Sequence, residues 1–230
     1  MALFLVSTPE PVMPKVSCNL DREFTFETGT TAVLAIDMQR DFLDDVGYCA
    51  AAGGDVSAGQ AIIPAFAGVL AAARQAGMRI IHTREGYLPD GSDMNALKRE
   101  RNSTGTPGPL GRFLICGEPG QDTIPELYPE PGETAIDKPG FSAFYRTGLD
   151  DLLVEAGITH LILMGVTTQC CVHSTLRSAV DRGFWCLTVE DCCAALDPVL
   201  HNGAMSLIYG ENHLFGWVCR SGAMIDAMGS

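Results

Sequence analysis

The chain has 230 residues, 47% of them apolar, and a formal net charge of −13. That length buries one sizeable core, so a single domain is expected. Nucleic acid and anionic membrane surfaces are bound through clustered Lys and Arg and are excluded as partners, whereas a small neutral ligand is not.

The opening MALFLV is apolar but brief. It lacks a basic flank and runs into Pro9, Pro11 and Pro14, so residues 1–30 read as an N-terminal arm rather than a signal peptide, with residues 31–230 forming the domain. No run approaches the roughly 20 apolar residues a membrane span requires. Thr31–Ile36 (TAVLAI) is a continuous apolar run ending at Asp37, as in a strand covered on both faces. Residues 61–76 are Ala-rich and amphipathic, with Pro64 in the first turn and Gly77 past the end, which predicts a helix. Residues 78–83 are the next strand, followed by a long Gly/Pro-rich stretch to Pro125 suited to a functional or oligomer-forming loop.

In the second half, residues 133–137 (ETAID) lead into Lys138, and Thr147 caps a helix that Gly157 stops. A strand over 159–166 precedes a helix from Cys171 to Arg182. Then come a strand over 184–189, a helix over 197–209, a strand over 215–219 and a helix from Gly222. This alternation predicts an α/β fold: a three-layer α/β/α architecture with a mostly parallel sheet of about six strands. Of nine cysteines, four form the adjacent pairs Cys170–Cys171 and Cys192–Cys193, and no disulfide framework is evident; reduced thiols and a cytoplasmic setting are expected. Cys192–Cys193 lacks zinc-ligand spacing and reads as core.

In open α/β sheets, reactive groups gather beyond the carboxyl ends of the strands. Asp37 ends the first strand, Lys138 the third, and Cys171 follows the fourth. Each alone is commonplace: a turn aspartate, a solvated lysine, a core cysteine. Together they form an acid, a cation and a thiol. At the start of a helix, backbone amides and the dipole are expected to lower the Cys171 pKa and to hold an oxyanion.

DMQRDF (37–42), DKPG (137–140) and GVTTQCCVHSTLRSA (165–179) together resemble the signature segments of the isochorismatase-like cysteine hydrolases. HTREG (82–86), GEPGQDTIPELYP (117–129) and VEDCCAA (189–195) are most similar to the biuret-hydrolase branch and its ureide-cleaving relatives. The resemblance implies that Asp37 is a general base, Lys138 a transition-state-stabilising cation and Cys171 the nucleophile that becomes acylated. Cys170 falls at a position variable in the family. A cis Val166–Thr167 peptide, an oxyanion hole built from the Thr167 and Cys171 amides, and a homotetramer are also implied.

Departures from the pattern bear on substrate. The nicotinamidase Asp-x-His metal cluster is replaced by HTREGYLPD, so neither metal nor cofactor is expected. Phe141 stands where biuret hydrolase has Lys, and Glu211 where a substrate-binding Gln is expected; a carboxylate there suits a ureide rich in N–H donors, such as triuret. Phe42 is a pocket wall or core. Arg84 binds substrate carbonyls or pairs with Glu85 or Asp90. His173, two positions past Cys171 in the expected helix, points to a different face and forms no dyad with it, and His82, His201 and His213 are assigned structural roles. The expected activity is hydrolysis of a C–N bond in a small ureide, biuret or triuret, through a thioester. The alternatives are a ureidoacrylate or N-carbamoyl amidohydrolase, using Arg84 or Arg146 for a substrate carboxylate, and a non-catalytic binding protein.

Overall fold

The computed structural model describes residues 13–101 and 103–229; MALFLV lies outside them. The described part of the arm is a hairpin, β1 (Lys15–Cys18) and β2 (Arg22–Thr25), which buries Val16 and Phe24. After β3 (Thr31–Ile36) come three short helices, α1 (Arg40–Leu43), α2 (Tyr48–Ala51) and α3 (Ser57–Ala61), then α4 (Ile63–Gln75) and β4 (Arg79–Glu85). The long connection expected as irregular carries α5 (Ala96–Arg101) and a small ribbon of β5 (Pro107–Gly108) and β6 (Gly111–Arg112). The remaining elements are β7 (Thr134–Lys138), α6 (Leu149–Glu155), β8 (His160–Val166), α7 (His173–Asp181), β9 (Trp185–Ala194), α8 (Pro198–His213), β10 (Trp217–Cys219) and α9 (Ser221–Met228).

Six strands form one sheet in the order β10-β9-β8-β3-β4-β7, and every neighbouring pair is parallel. All six residues of β3 are buried, as its unbroken apolar run requires at the centre of a sheet covered on both faces. Helices α4 and α9 pack together on one face. Elsewhere, Asp150 of α6 pairs with Arg182 at the end of α7, and Ser142 in the segment between β7 and α6 donates to Ser178 of α7.

From β3 the chain winds one way through β4 and β7, and from β8 the other way through β9 and β10. The β3–β8 boundary is therefore the point where topology reverses and a crevice opens at the carboxyl ends of the strands. Gly165 permits the close approach there: its φ is +140°, and a Cβ would collide with the carbonyl oxygen of Ile36.

Several expectations are corrected. The helix expected over 61–76 is α4, which starts two residues later and follows the separate short helix α3. Strand β4 runs to Glu85, beyond the expected Thr83, and β9 runs to Ala194, placing Cys192 and Cys193 in the core. Gly148, not Thr147, is the N-cap of α6; the Thr147 hydroxyl donates to Ala143 O. Cys171 is not in the first turn of an α-helix but inside a π-helical turn, Thr168–Val172, that precedes α7. All nine cysteines are free.

Replacement Gly165→Ala forces apart the two strands that frame the crevice. A loss of roughly 2–4 kcal/mol is expected in urea unfolding, combining left-handed strain with overpacking. An unchanged midpoint would contradict the role given to this glycine.

Candidate active site

Four consecutive strands of the sheet, β8, β3, β4 and β7, deliver the side chains of one site from their carboxyl ends. Asp37 follows β3, with a left-handed φ of 53° that turns the chain out of the sheet. Lys138 ends β7, two strands away and thus roughly 10 Å across the sheet, a gap its long side chain closes. Its Nζ lies 2.8 Å from Asp37 Oδ2, and both residues are fully buried.

The contact is a charge pair rather than an aligned hydrogen bond. Lys138 Nζ donates to Gly140 O at 2.7 Å, and Thr83 Oγ1 donates to Asp37 Oδ1 at 2.7 Å, leaving Oδ2 without a hydrogen bond. The Cys171 sulfur, a Glu85 carboxylate oxygen and an Asp37 carboxylate oxygen all lie within 4.8 Å of one another. These are the ligand types a metal would use, but the neighbouring ammonium groups of Lys138 and Lys98 already supply positive charge to the carboxylates.

Burial pushes the Asp37 carboxyl above its ordinary pKa; Lys138 opposes the rise and Glu85 adds to it. The Cys171 thiol is held well above its ordinary value by a hydrogen bond shared with Cys170 and by burial, with Asp37 and Glu85 contributing and Lys138 opposing. This reverses the expectation of a thiol acidified by a helix N-terminus, because the Cys170 hydrogen bond and burial disfavour the sulfur anion and two nearby carboxylates add to them. Lys138 stays charged: burial disfavours its ammonium, but Asp37, Cys171 and Glu85 outweigh that and raise its pKa. The resting site thus holds a protonated thiol beside an acceptor that burial has made more basic.

The sulfur opens onto a cavity of about 300 Å³ lined by Phe42, Glu85, Thr104, Phe113, Phe141 and Thr167, among others. Phe42 is a pocket wall, meeting Phe113 edge-on at 6.0 Å between centroids. The Val166–Thr167 peptide is cis. Thr104 comes from the long connection, and its buried Oγ1 has no hydrogen-bond partner among the described residues.

Arg84 is not part of this lining. Side chains alternate along a strand, so Arg84 leaves the face that carries Thr83 and Glu85 and pairs with Asp122 and Asp137, both at 2.8 Å, rather than with Glu85 or Asp90. Glu211 is also displaced. It sits in a break of α8 with a left-handed φ of 51°, exposed and outside the cavity lining. Arg146 is exposed and donates to Asp93 O. His201 shares a hydrogen bond of 2.9 Å with Thr168 Oγ1, and His82 one of 2.9 Å with Glu133.

The sequence reading missed Glu85 and Lys98. Glu85 Oε2 is 3.6 Å from Cys171 Sγ, and its Oε1 accepts from Lys98 Nζ at 2.6 Å and from Tyr87 OH at 2.9 Å. The available signal was the period-two set Ile81, Thr83, Glu85 on one face of β4, had the strand been extended by two residues.

The isochorismatase domain family matches residues 31–222. The ureidoacrylate amidohydrolase RutB of Pantoea ananatis is 34% identical, covering 89% of this chain and 84% of the relative. The RutB of Methylorubrum extorquens is also 34% identical, covering 100% of this chain and 90% of the relative. Among solved structures, a cysteine hydrolase from Pseudomonas syringae pv. phaseolicola 1448A superposes with a TM-score of 0.79 at 24% identity, over 89% of this chain and 94% of its own. An isochorismatase family protein from Desulfovibrio vulgaris subsp. vulgaris str. Hildenborough does so with a TM-score of 0.72 at 27% identity, over 87% and 99%. With the family match spanning the whole sheet and every residue of the site, the chain belongs to the isochorismatase family.

Proposed function

We propose that this amidohydrolase cleaves the C–N bond of a small ureide, of the biuret or triuret type, with Cys171 as nucleophile. The observation that carries the reading is the buried Cys171 thiol close to the carboxylate of Asp37, which is itself paired with Lys138. Asp37 takes the thiol proton, and the thiolate attacks the ureide carbonyl carbon. The negative charge moves to the carbonyl oxygen, which the amides of Thr167 and Cys171 receive with support from Lys138. Protonated Asp37 returns its proton to the departing nitrogen, which leaves as ammonia or an amine, and water then hydrolyses the thioester. Transfer of the proton from sulfur to Asp37 leaves the total charge of the pocket unchanged, so it proceeds in a dry site without recruiting a counter-ion.

Charge matching supports a neutral ureide. Each buried carboxylate at the cavity already has an ammonium partner, Asp37 with Lys138 and Glu85 with Lys98. Arg84 and Arg146, the cations considered for a substrate carboxylate, are engaged elsewhere. The second reading, ureidoacrylate, is favoured by the two RutB relatives, each 34% identical. Both readings share the carbamoyl group and differ in the charge of what it is attached to.

Cys171→Ala is expected to abolish ammonia release while leaving the unfolding midpoint intact; retained turnover would refute the nucleophile assignment. Asp37→Asn should lower kcat roughly 10²–10⁴-fold. It also strands a buried ammonium at a cost of about 3–5 kcal/mol, so folding is to be checked by circular dichroism. In an ammonia-release screen over biuret, triuret, ureidoacrylate, N-carbamoyl amino acids and nicotinamide, kcat/KM should be highest for biuret or triuret. A maximum at ureidoacrylate would transfer the assignment to the second reading.

A further inference from the structure

Two buried ionised groups at the cavity have no part in the chemistry just described. Glu85 ends β4, with Oε2 3.6 Å from the Cys171 sulfur. Lys98 is borne by α5 in the long connection between β4 and β7, and its side chain is 7% exposed. Its ammonium meets Glu85 Oε1 at 2.6 Å and stands 3.7 Å from the centroid of the Phe141 ring, with the Tyr87 ring at 5.3 Å. Burying this pair costs several kcal/mol of hydration per ion, and an apolar pair of similar size would fill the space without that cost.

Its position beside the thiol gives the pair a task. The ionisable groups around the Cys171 sulfur come from separate elements: Asp37 after β3, Glu85 on β4, Lys138 on β7 and Cys170 in the same turn, with Tyr87 and Lys98 behind Glu85. Two of these are carboxylates, and each opposes formation of a sulfur anion. Lys138 is committed to Asp37, leaving Lys98 as the cation that offsets Glu85.

We propose that Lys98 is a positioning residue of the catalytic centre, acting through Glu85: held against Glu85 and the Phe141 ring, its ammonium offsets the second carboxylate facing Cys171 and so eases transfer of the thiol proton to Asp37. This rests on the reading of Cys171 as nucleophile. It also gives the connection between β4 and β7 a function, because α5 carries the ammonium that meets Glu85. Phe141 contributes by offering a ring face to the ammonium, a favourable cation–π placement that a lysine at that position would replace with repulsion.

The test is the pH dependence of Cys171 alkylation by iodoacetamide, located by fragmentation of the peptide carrying Cys170 and Cys171, with kcat/KM for the best ureide measured alongside. Lys98→Met is expected to move both profiles at least one unit to the alkaline side, with at least a tenfold loss at pH 7 that is largely recovered at higher pH. Glu85→Gln should move the alkylation profile to the acid side, and the Glu85→Gln/Lys98→Met double variant should return it close to wild type. Lys98→Arg should retain the wild-type profile. If Lys98→Met fails to fold, the opposite shift in Glu85→Gln and the profile of the double variant decide the matter. Unshifted alkylation profiles in the single variants would overturn the proposal, as would a double variant as slow as Lys98→Met. Because alkylation is read at the Cys171 sulfur itself, it is independent of turnover; failure of the nucleophile reading would show instead as ammonia release by Cys171→Ala.

Discussion

The Asp37–Lys138 ion pair is the interaction on which the rest of the site depends. Both groups are fully buried, so each exists in its charged form only because the other is 2.8 Å away. An aspartate alone in that position would be neutral and unable to accept a proton; a lysine alone would be neutral and unable to stabilise an oxyanion. Paired, they keep a carboxylate and an ammonium charged near the sulfur, the two groups that the proposed proton transfer and oxyanion stabilisation require.

The fold places them there through topology. Winding in opposite directions from β3 and β8 opens a crevice between those strands, and Gly165 allows them to close on each other at its base. Asp37 and Cys171 leave the sheet on either side of that line. Thr83 on β4 fixes the remaining Asp37 oxygen, and Lys138 reaches in from β7. The long connection after β4 then covers the opening, contributing Thr104, Phe113 and the ammonium of Lys98.

Much of this was legible in the sequence because parallel strands buried on both faces are unbroken apolar runs, and a charged residue ending such a run is placed by the sheet itself. Thr31–Ile36 with Asp37 and the 159–166 run before Cys171 are of that kind. Glu85 was not legible: β4 ends in Thr-Arg-Glu, and a polar terminus reads as solvated until the neighbouring β7 is known to extend the pairing through Arg84–Asp137 and Glu85–Lys138. Lys98 lies in a segment without periodicity, and its meeting with Glu85 is a tertiary contact that no local pattern encodes. Arg84 failed as a substrate ligand for a register reason, since the residue before Glu85 must point to the opposite face. The expected acidic thiol failed because the sulfur is hydrogen-bonded to Cys170 and fully buried, with Asp37 and Glu85 adding to the effect from elements distant in sequence.

A crystal structure of the Cys171→Ala variant bound to biuret tests the central claim most directly, namely that one buried cluster of charges both holds the ureide and receives its developing negative charge. The expected result is a carbonyl oxygen within hydrogen-bond distance of the backbone amides of residues 167 and 171, with the nitrogen to be expelled facing the Asp37 carboxylate. A ureide bound outside the cavity, or one whose carbonyl oxygen points away from those amides, would contradict it.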